Sequence, residues 1–212
     1  LLETEQAPIL EANARDLAAA RQAGLDDYFI ERLTLNPDRL RGIAADTRTV
    51  MRLEDPVGEV FDSRTLPNGM LIGRRRVPLG VIACIYESRP NVTVDIAVLA
   101  MKSGNASILR GGKEAFHTNS AIARVIADAL QSAGIDPAAV QLVESTGRAL
   151  IAPLLKLDKY IDLVIPRGGE NLIRTVVTES TIPVLKHFTG NCHVYVDAGC
   201  DEIRRQQRII VR

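Results

Sequence analysis

The chain carries no excess of either charge: 26 basic residues are matched by 26 acidic ones in 212. That balance projects no global field, so neither nucleic acid nor an anionic membrane surface is expected as a partner. Long apolar runs are missing as well. No stretch approaches the roughly 18 to 20 residues of a spanning helix, and no basic–apolar–small leader opens the sequence. Cysteine is scarce, and Cys84, Cys192 and Cys200 are too scattered for a disulfide framework or a zinc site. His117, His187 and His193 lack metal-ligand spacing, so no metal centre is expected. These absences leave a soluble protein of a reducing, cytoplasmic compartment, with 46% apolar residues to fill a core.

What is present is organised around residues 77–114. An apolar run rich in Val and Ile ends at Glu87-Ser88-Arg89-Pro90. A second segment, 92–102, is apolar almost all round and closes at Ser103-Gly104-Asn105. A third, 106–109, is short, β-prone and runs into Arg110-Gly111-Gly112-Lys113. Strand, buried helix, strand and a glycine-basic turn is the order of a βαβ unit with an anion site after its second strand.

The flanks extend that unit. Helical periodicity over 4–24, 26–33 and the segment after Asn36-Pro37-Asp38 predicts three scaffold helices with solvated charged faces. Residues 57–77, with a turn at Pro67-Asn68-Gly69, read as a β-hairpin. Its Arg74-Arg75-Arg76 run is either a phosphate patch or, as favoured here, a charged strand edge that discourages stray pairing. Beyond the central unit, Thr118 or Asn119 is expected to cap an amphipathic helix that Gly134 ends. A strand at 140–143, a helix at 148–157, a strand at 161–165 and a helix at 171–178 follow, then apolar segments at 182–185 and 192–196. Such alternation predicts an α/β fold: a parallel sheet with helices on both faces, preceded by the N-terminal helices and the hairpin.

One motif recurs. Arg110-Gly111-Gly112 and Arg167-Gly168-Gly169 each stand at the carboxyl end of a predicted strand. In open α/β sheets those ends share one rim, where ligands sit. Glycine lets backbone N–H groups approach an anion, and a neighbouring arginine can fork onto phosphate oxygens. Two such turns suit a dinucleotide better than a single phosphate. The alternative is a pair of ordinary left-handed turns, and neither turn matches G-x-G-x-x-G or the P-loop. Asn91, after the first strand, reads locally as a helix cap, although its amide would also suit an oxyanion. None of the cysteines reads as a nucleophile. Cys84 lies in a core strand, Cys192 and His193 would point to opposite faces, and Cys200 sits among acids that raise a thiol pKa.

Together IYESRPNVTVD, KSGNASILRGGKEA, LDKYIDLVIPRGG and GNCHVYVD closely resemble the γ-glutamyl phosphate reductases (glutamate-5-semialdehyde dehydrogenases) of the aldehyde dehydrogenase superfamily, in order from about residue 10 to 197. The resemblance implies a Rossmann-like cofactor domain over 1–197, with the 57–77 hairpin joining subunits of a homo-oligomer. It implies NADPH-dependent reduction of L-glutamate 5-phosphate to L-glutamate 5-semialdehyde with release of phosphate, in proline biosynthesis, NADP being the oxidised cofactor. The glutamate 5-kinase of that pathway becomes a candidate partner. By the same resemblance Asn91 takes the place of an oxyanion-stabilising Asn, against its local reading. Arg110 takes the place of a Lys that touches the adenosine ribose, where a guanidinium would suit a 2′-phosphate. Gly111, Gly112 and Lys113 continue that turn, and Arg167, Gly168 and Gly169 form the one facing the cofactor's phosphates.

The departures matter equally. The superfamily's catalytic Cys belongs to a second domain, so 198–212 is expected only to begin a connection towards it. The sequence starts at Leu1 rather than Met and stops in an apolar segment, so a longer polypeptide is expected. No general-base Glu is evident near 187–190, which suits a reductase whose thioester is reduced rather than hydrolysed. In the implied mechanism a thiolate displaces phosphate, and hydride then converts the thioester to a thiohemiacetal that collapses to aldehyde. Two alternatives stay open: an acylating aldehyde dehydrogenase for another acyl donor, and a nucleotide-binding or assembly module without turnover.

Overall fold

The structure, a computed structural model, describes residues 1–187. Three helices lead: α1 (Gln6–Gln22), α2 (Asp27–Leu33) and α3 (Pro37–Arg52). Capping sets their starts. The Asp26 side chain accepts from the Phe29 N–H at 2.7 Å, and Asn36 accepts from the Arg39 N–H at 2.8 Å. Pro37 takes the first helical position, where a missing N–H is tolerated. The expected hairpin follows as β1 (Val60–Thr65) and β2 (Leu71–Arg75), an antiparallel two-stranded sheet of its own. Arg74 and Arg76 pair across it with Asp62 and Glu59, which fits the charged-edge reading of the arginine run.

The remainder alternates: β3 (Val81–Tyr86), α4 (Asn91–Lys102), β4 (Ala106–Arg110), α5 (Phe116–Ser132), β5 (Val140–Leu142), α6 (Ile151–Leu154), β6 (Leu163–Arg167) and α7 (Glu170–Glu179). The four strands are parallel, in the order β5-β4-β3-β6. Residues on β3 alternate between two cores, as the strand period requires. Ala83 and Ile85 pack with Leu155, Val164 and Val176 on the face covered by α6 and α7. Cys84 and Tyr86 pack with Val92, Leu109 and Leu130 on the face covered by α4 and α5. A further cluster joins Ile9 of α1 and Leu40 and Ile43 of α3 to Val94 of α4 and Ile122 of α5. Helix α4 is therefore clasped between the sheet and the leading helices, which explains its apolar residues on every side.

Two local expectations need correction. Thr118 and Asn119 do not cap α5 with their own side chains; both are buried within it. The cap comes from α1, where the buried Asp16 carboxylate accepts from the His117 N–H at 3.2 Å, the Thr118 N–H at 2.7 Å and the Thr118 hydroxyl at 2.6 Å. The helix expected at 148–157 is a 3-10 turn (Arg148–Leu150) followed by the short α6, whose last bonds tighten as the Lys156 N–H reaches Pro153 O. Residues 182–185 contribute one parallel bridge, Val184 to Val164, beside β6, because Pro183 has no N–H for a longer ladder. The segment 192–196, with Cys192 and His193, lies outside the described residues, as does Cys200. Among the described residues no helix is long and apolar enough to cross a membrane.

Removing the Asp16 cap leaves two backbone donors and a buried hydroxyl without their acceptor. Asp16→Ala is expected to lower unfolding stability by about 2–3 kcal/mol, the sum of a lost cap and a buried unsatisfied donor. Asp27→Ala, at an exposed position, should stay within about 0.5 kcal/mol of the parent. Urea denaturation of both variants checks this, and similar small losses would refute the capping role.

Candidate functional site

Parallel register brings the two glycine turns to one rim. Ile85 pairs with Arg110 and Tyr86 with Arg167, so both turns leave the sheet at the carboxyl end, on opposite sides of β3. The chain moves from β3 to β4 and β5 in one direction and then returns to place β6 on the other side, so the topological switch lies between β3 and β6. Open α/β sheets bind their ligands there. A cleft of about 710 Å³ opens at this rim, lined by Tyr86, Glu87 and Ser88, by Arg110, Gly112 and Lys113, and by Asn171, Leu172 and Thr175 of α7. Thr146 and Arg148, from the connection after β5, form a further wall.

Arg110 is the unusual cation of this cleft, with a relative exposure of 7%. One Nη donates to Thr146 O at 3.1 Å, while its buried Nε has no partner among the described residues. Burial pulls the guanidinium pKa below its ordinary value; Glu114 opposes that shift and Arg148 adds to it. A buried, incompletely satisfied arginine facing a cleft calls for an anion.

Close approach rather than a left-handed backbone marks Gly111, Gly112 and Gly168, whereas at Gly169 an added Cβ would meet nothing nearer than 3.9 Å. Gly112 and Gly169 have φ of −64° and −67°, and neither Gly111 nor Gly168 has positive φ, which excludes the ordinary left-handed turn as their explanation. A Cβ on Gly111 would fall 2.2 Å from Asn119 Nδ2, and one on Gly168 would fall 2.6 Å from Glu87 Cδ. The Gly169 N–H donates to Glu87 Oε2 at 2.9 Å. Glu87 thus joins β3 to the start of α7, a part of the site that sequence reasoning missed although it adjoins the strand end.

The other expected site residues are less concentrated. Arg110, Gly112 and Lys113 line the cleft together. Arg167 lines a smaller cavity of about 380 Å³, with Asp46, Thr47 and Val50 of α3 and Asp95 of α4. Asn91 is the first residue of α4, half-buried, and its Nδ2 donates to Asp95 Oδ2 at 2.9 Å instead of capping the helix. Asp95 also escaped the sequence reading, although its position one turn after Asn91 marks it as a helical neighbour. Burial raises its carboxyl pKa, with Asp46 acting in the same direction and the Asn91 amide opposing. Cys84 is fully buried in β3, and desolvation pushes its thiol up to about 12, so it is an inert core residue. Among the described residues no group of His, Cys, Asp and Glu could hold a metal ion.

Residues 32–211 match the aldehyde dehydrogenase family. The chain belongs to that family. Membership implies a nicotinamide cofactor. Relatives named γ-glutamyl phosphate reductase include one from Tolumonas auensis, 55% identical over 96% of this chain and 48% of its own length. Another, from Moorella thermoacetica, is 54% identical over 99% of this chain and 50% of its own length. The chain thus spans about half the length of these curated relatives. The crystal structure of γ-glutamyl phosphate reductase from Thermotoga maritima superposes with a TM-score of 0.87 at 44% identity, covering 99% of this chain and 50% of that one. An acetylating aldehyde dehydrogenase from Geobacillus thermoglucosidasius, 19% identical with a TM-score of 0.61 over 86% of this chain and 39% of its own, shares the aldehyde dehydrogenase fold.

In this aldehyde dehydrogenase chain the Asp95 shift has a testable sign. A carboxyl whose pKa is raised by folding favours the protonated form, so its stabilising contribution is complete below the unfolded value, near 3.8, and is lost as pH rises through the folded value. Asp95→Asn keeps an acceptor for Asn91 and removes the charge. It should therefore raise the thermal midpoint at pH 7, with the gain shrinking towards pH 4. An identical gain at both pH values would contradict the assignment.

Proposed function

We propose that residues 1–197 are the NADP-binding domain of a γ-glutamyl phosphate reductase, and that 198–212 begin the connection to its catalytic domain. The reaction is NADPH-dependent reduction of L-glutamate 5-phosphate to L-glutamate 5-semialdehyde with phosphate release, in the cytoplasmic synthesis of proline. The observation that carries this reading is the name shared by relatives 51–55% identical over almost all of this chain. The cleft supports it locally: a buried arginine with a nitrogen unpartnered among the described residues and a glycine-lined sheet rim fit a phosphorylated dinucleotide.

When bound, the nicotinamide supplies the hydride. The chain's own residues position and neutralise. Arg110 takes the 2′-phosphate, assisted by Lys113, while Gly111 and Gly112 keep that turn close to the ligand. Gly168 and Gly169 present backbone at the start of α7 to the diphosphate, and Arg167 stands at the same strand end. Asn91 uses one amide N–H on Asp95, leaving the second for the oxyanion that forms when the acyl carbon is attacked. The hairpin serves as a subunit contact of a homo-oligomer: Val60, Leu71 and Val77 expose 59%, 72% and 71% of their surfaces. The glutamate 5-kinase that makes the acyl phosphate is the partner protein we propose.

The activity is tested in reverse, as phosphate-dependent reduction of NADP by L-glutamate 5-semialdehyde with the intact protein. Turnover that needs phosphate is expected. Turnover that needs coenzyme A instead would favour an acylating dehydrogenase for another acyl donor, and coenzyme binding without any turnover a non-catalytic module. For the cofactor, NADPH should bind about tenfold or more tightly than NADH, the worth of one charge-assisted contact. Arg110→Ala should erase most of that preference while leaving NADH affinity nearly constant. Equal binding of both coenzymes by the parent protein would remove Arg110 from this role.

A further inference from the structure

Glu87 holds the place that the proposed function gives to the coenzyme's diphosphate. It follows β3 directly, and its backbone N–H donates to Arg167 O at 3.1 Å. Its carboxylate accepts the Gly169 N–H at 2.9 Å, at the N-cap of a ten-residue helix, where glycine has no side chain of its own to cap with. A Cβ on Gly168 would strike the same carboxyl group at 2.6 Å, and one on Gly112 would lie at ordinary contact distance, 3.6 Å, from Glu87 Cα. The residue thus lies between the two glycine turns with its carboxylate on the positive end of α7. Glu87 is exposed, so its charge keeps its hydration and can leave without a large desolvation change. A separate feature of the same cleft suits an external anion: the Arg110 guanidinium, 7% exposed, lines it with one Nη bonded to Thr146 O and a buried Nε without a partner among the described residues.

We propose that Glu87 is a built-in competitor for the α7 terminus, released from Gly169 when the diphosphate of a dinucleotide arrives. Coenzyme binding then proceeds by exchange of one anion for another, and a nucleoside without phosphates cannot take that seat. In the free protein the carboxylate keeps the backbone donor satisfied and the 168–169 turn in its ligand-ready shape. This rests on the coenzyme reading above and adds to it a residue that weakens affinity while sharpening selection for phosphate.

Glu87→Gln tests the exchange because it keeps the length and the carbonyl acceptor but removes the charge. Fluorescence titration of the intact variant with NADPH should show binding about two- to fivefold tighter than the parent, the scale of one charge at an exposed helix terminus. Glu87→Ala should also bind more tightly, and thermal melts establish that both variants fold. Glu144→Gln, which removes an exposed carboxylate of the connection after β5, outside the cleft, should leave the affinity unchanged. Unchanged or weaker binding by both Glu87 variants overturns the exchange, as does an equal gain in Glu144→Gln. Failure of the parent protein to bind any dinucleotide would instead overturn the coenzyme reading itself.

Discussion

Everything at the rim depends on where β3 ends relative to its two neighbours. Pairing of Ile85 with Arg110 and of Tyr86 with Arg167 places both glycine turns at one height, with Glu87 between them. Strand register is strict here because both faces of β3 are buried, and a slip of one residue would exchange the Ala83–Ile85 face for the Cys84–Tyr86 face. The candidate site is therefore a consequence of core packing, and hydrophobic burial along β3 aligns the polar groups beyond it.

Beneath the Arg110 turn, a buried polar chain fixes the surrounding helices. The Tyr86 hydroxyl lies 2.7 Å from Thr93 Oγ1, which donates to Asn119 Oδ1 at 2.9 Å, and Asn119 fills the space that a side chain at Gly111 would need. Strand β3, helix α4 and helix α5 are thereby tied together directly behind the turn. A second set reaches it from the N-terminal helices. Asn13 donates to Leu33 O and Thr118 Oγ1 and accepts from the Leu35 N–H, while Asp16 caps α5. The leading helices are scaffold, but scaffold that fixes where α5 starts and hence how Gly111 and Gly112 lie. The Asn13–Asp16–Thr118 set is fully bonded and specifies one arrangement, whereas Asn119 Nδ2, at the end of the other set, is buried without a partner among the described residues.

Much of the fold was legible because its strands and helices carry distinct periods and its turns carry glycine and proline at the right offsets. The β3–α4–β4 unit, the hairpin and the two Arg-Gly-Gly turns could all be placed from residues alone. What escaped was mostly tertiary. A cap supplied by Asp16 from 102 positions away leaves no local pattern, whereas Thr118 and Asn119 are the local side chains from which a cap is expected. Glu87 read as part of a strand terminus because its partner, Gly169, is 82 positions on. The pairing of Asn91 with Asp95 had a local signal in its one-turn spacing, yet the helical cap was the commoner explanation for an asparagine there. Arg167 shows the limit of motif symmetry: its turn echoes that of Arg110, but its side chain lines the α3–α4 cavity rather than the larger cleft.

The central claim is that the cleft beside β3 seats a phosphorylated dinucleotide through Arg110 and the start of α7. A crystal structure of the protein with NADP tests it most directly. The account predicts the 2′-phosphate within hydrogen-bond distance of the Arg110 guanidinium and the diphosphate over Gly168-Gly169, with the Glu87 carboxylate turned away. A coenzyme bound outside this cleft, or one lying in it with its 2′-phosphate remote from Arg110, would contradict the account.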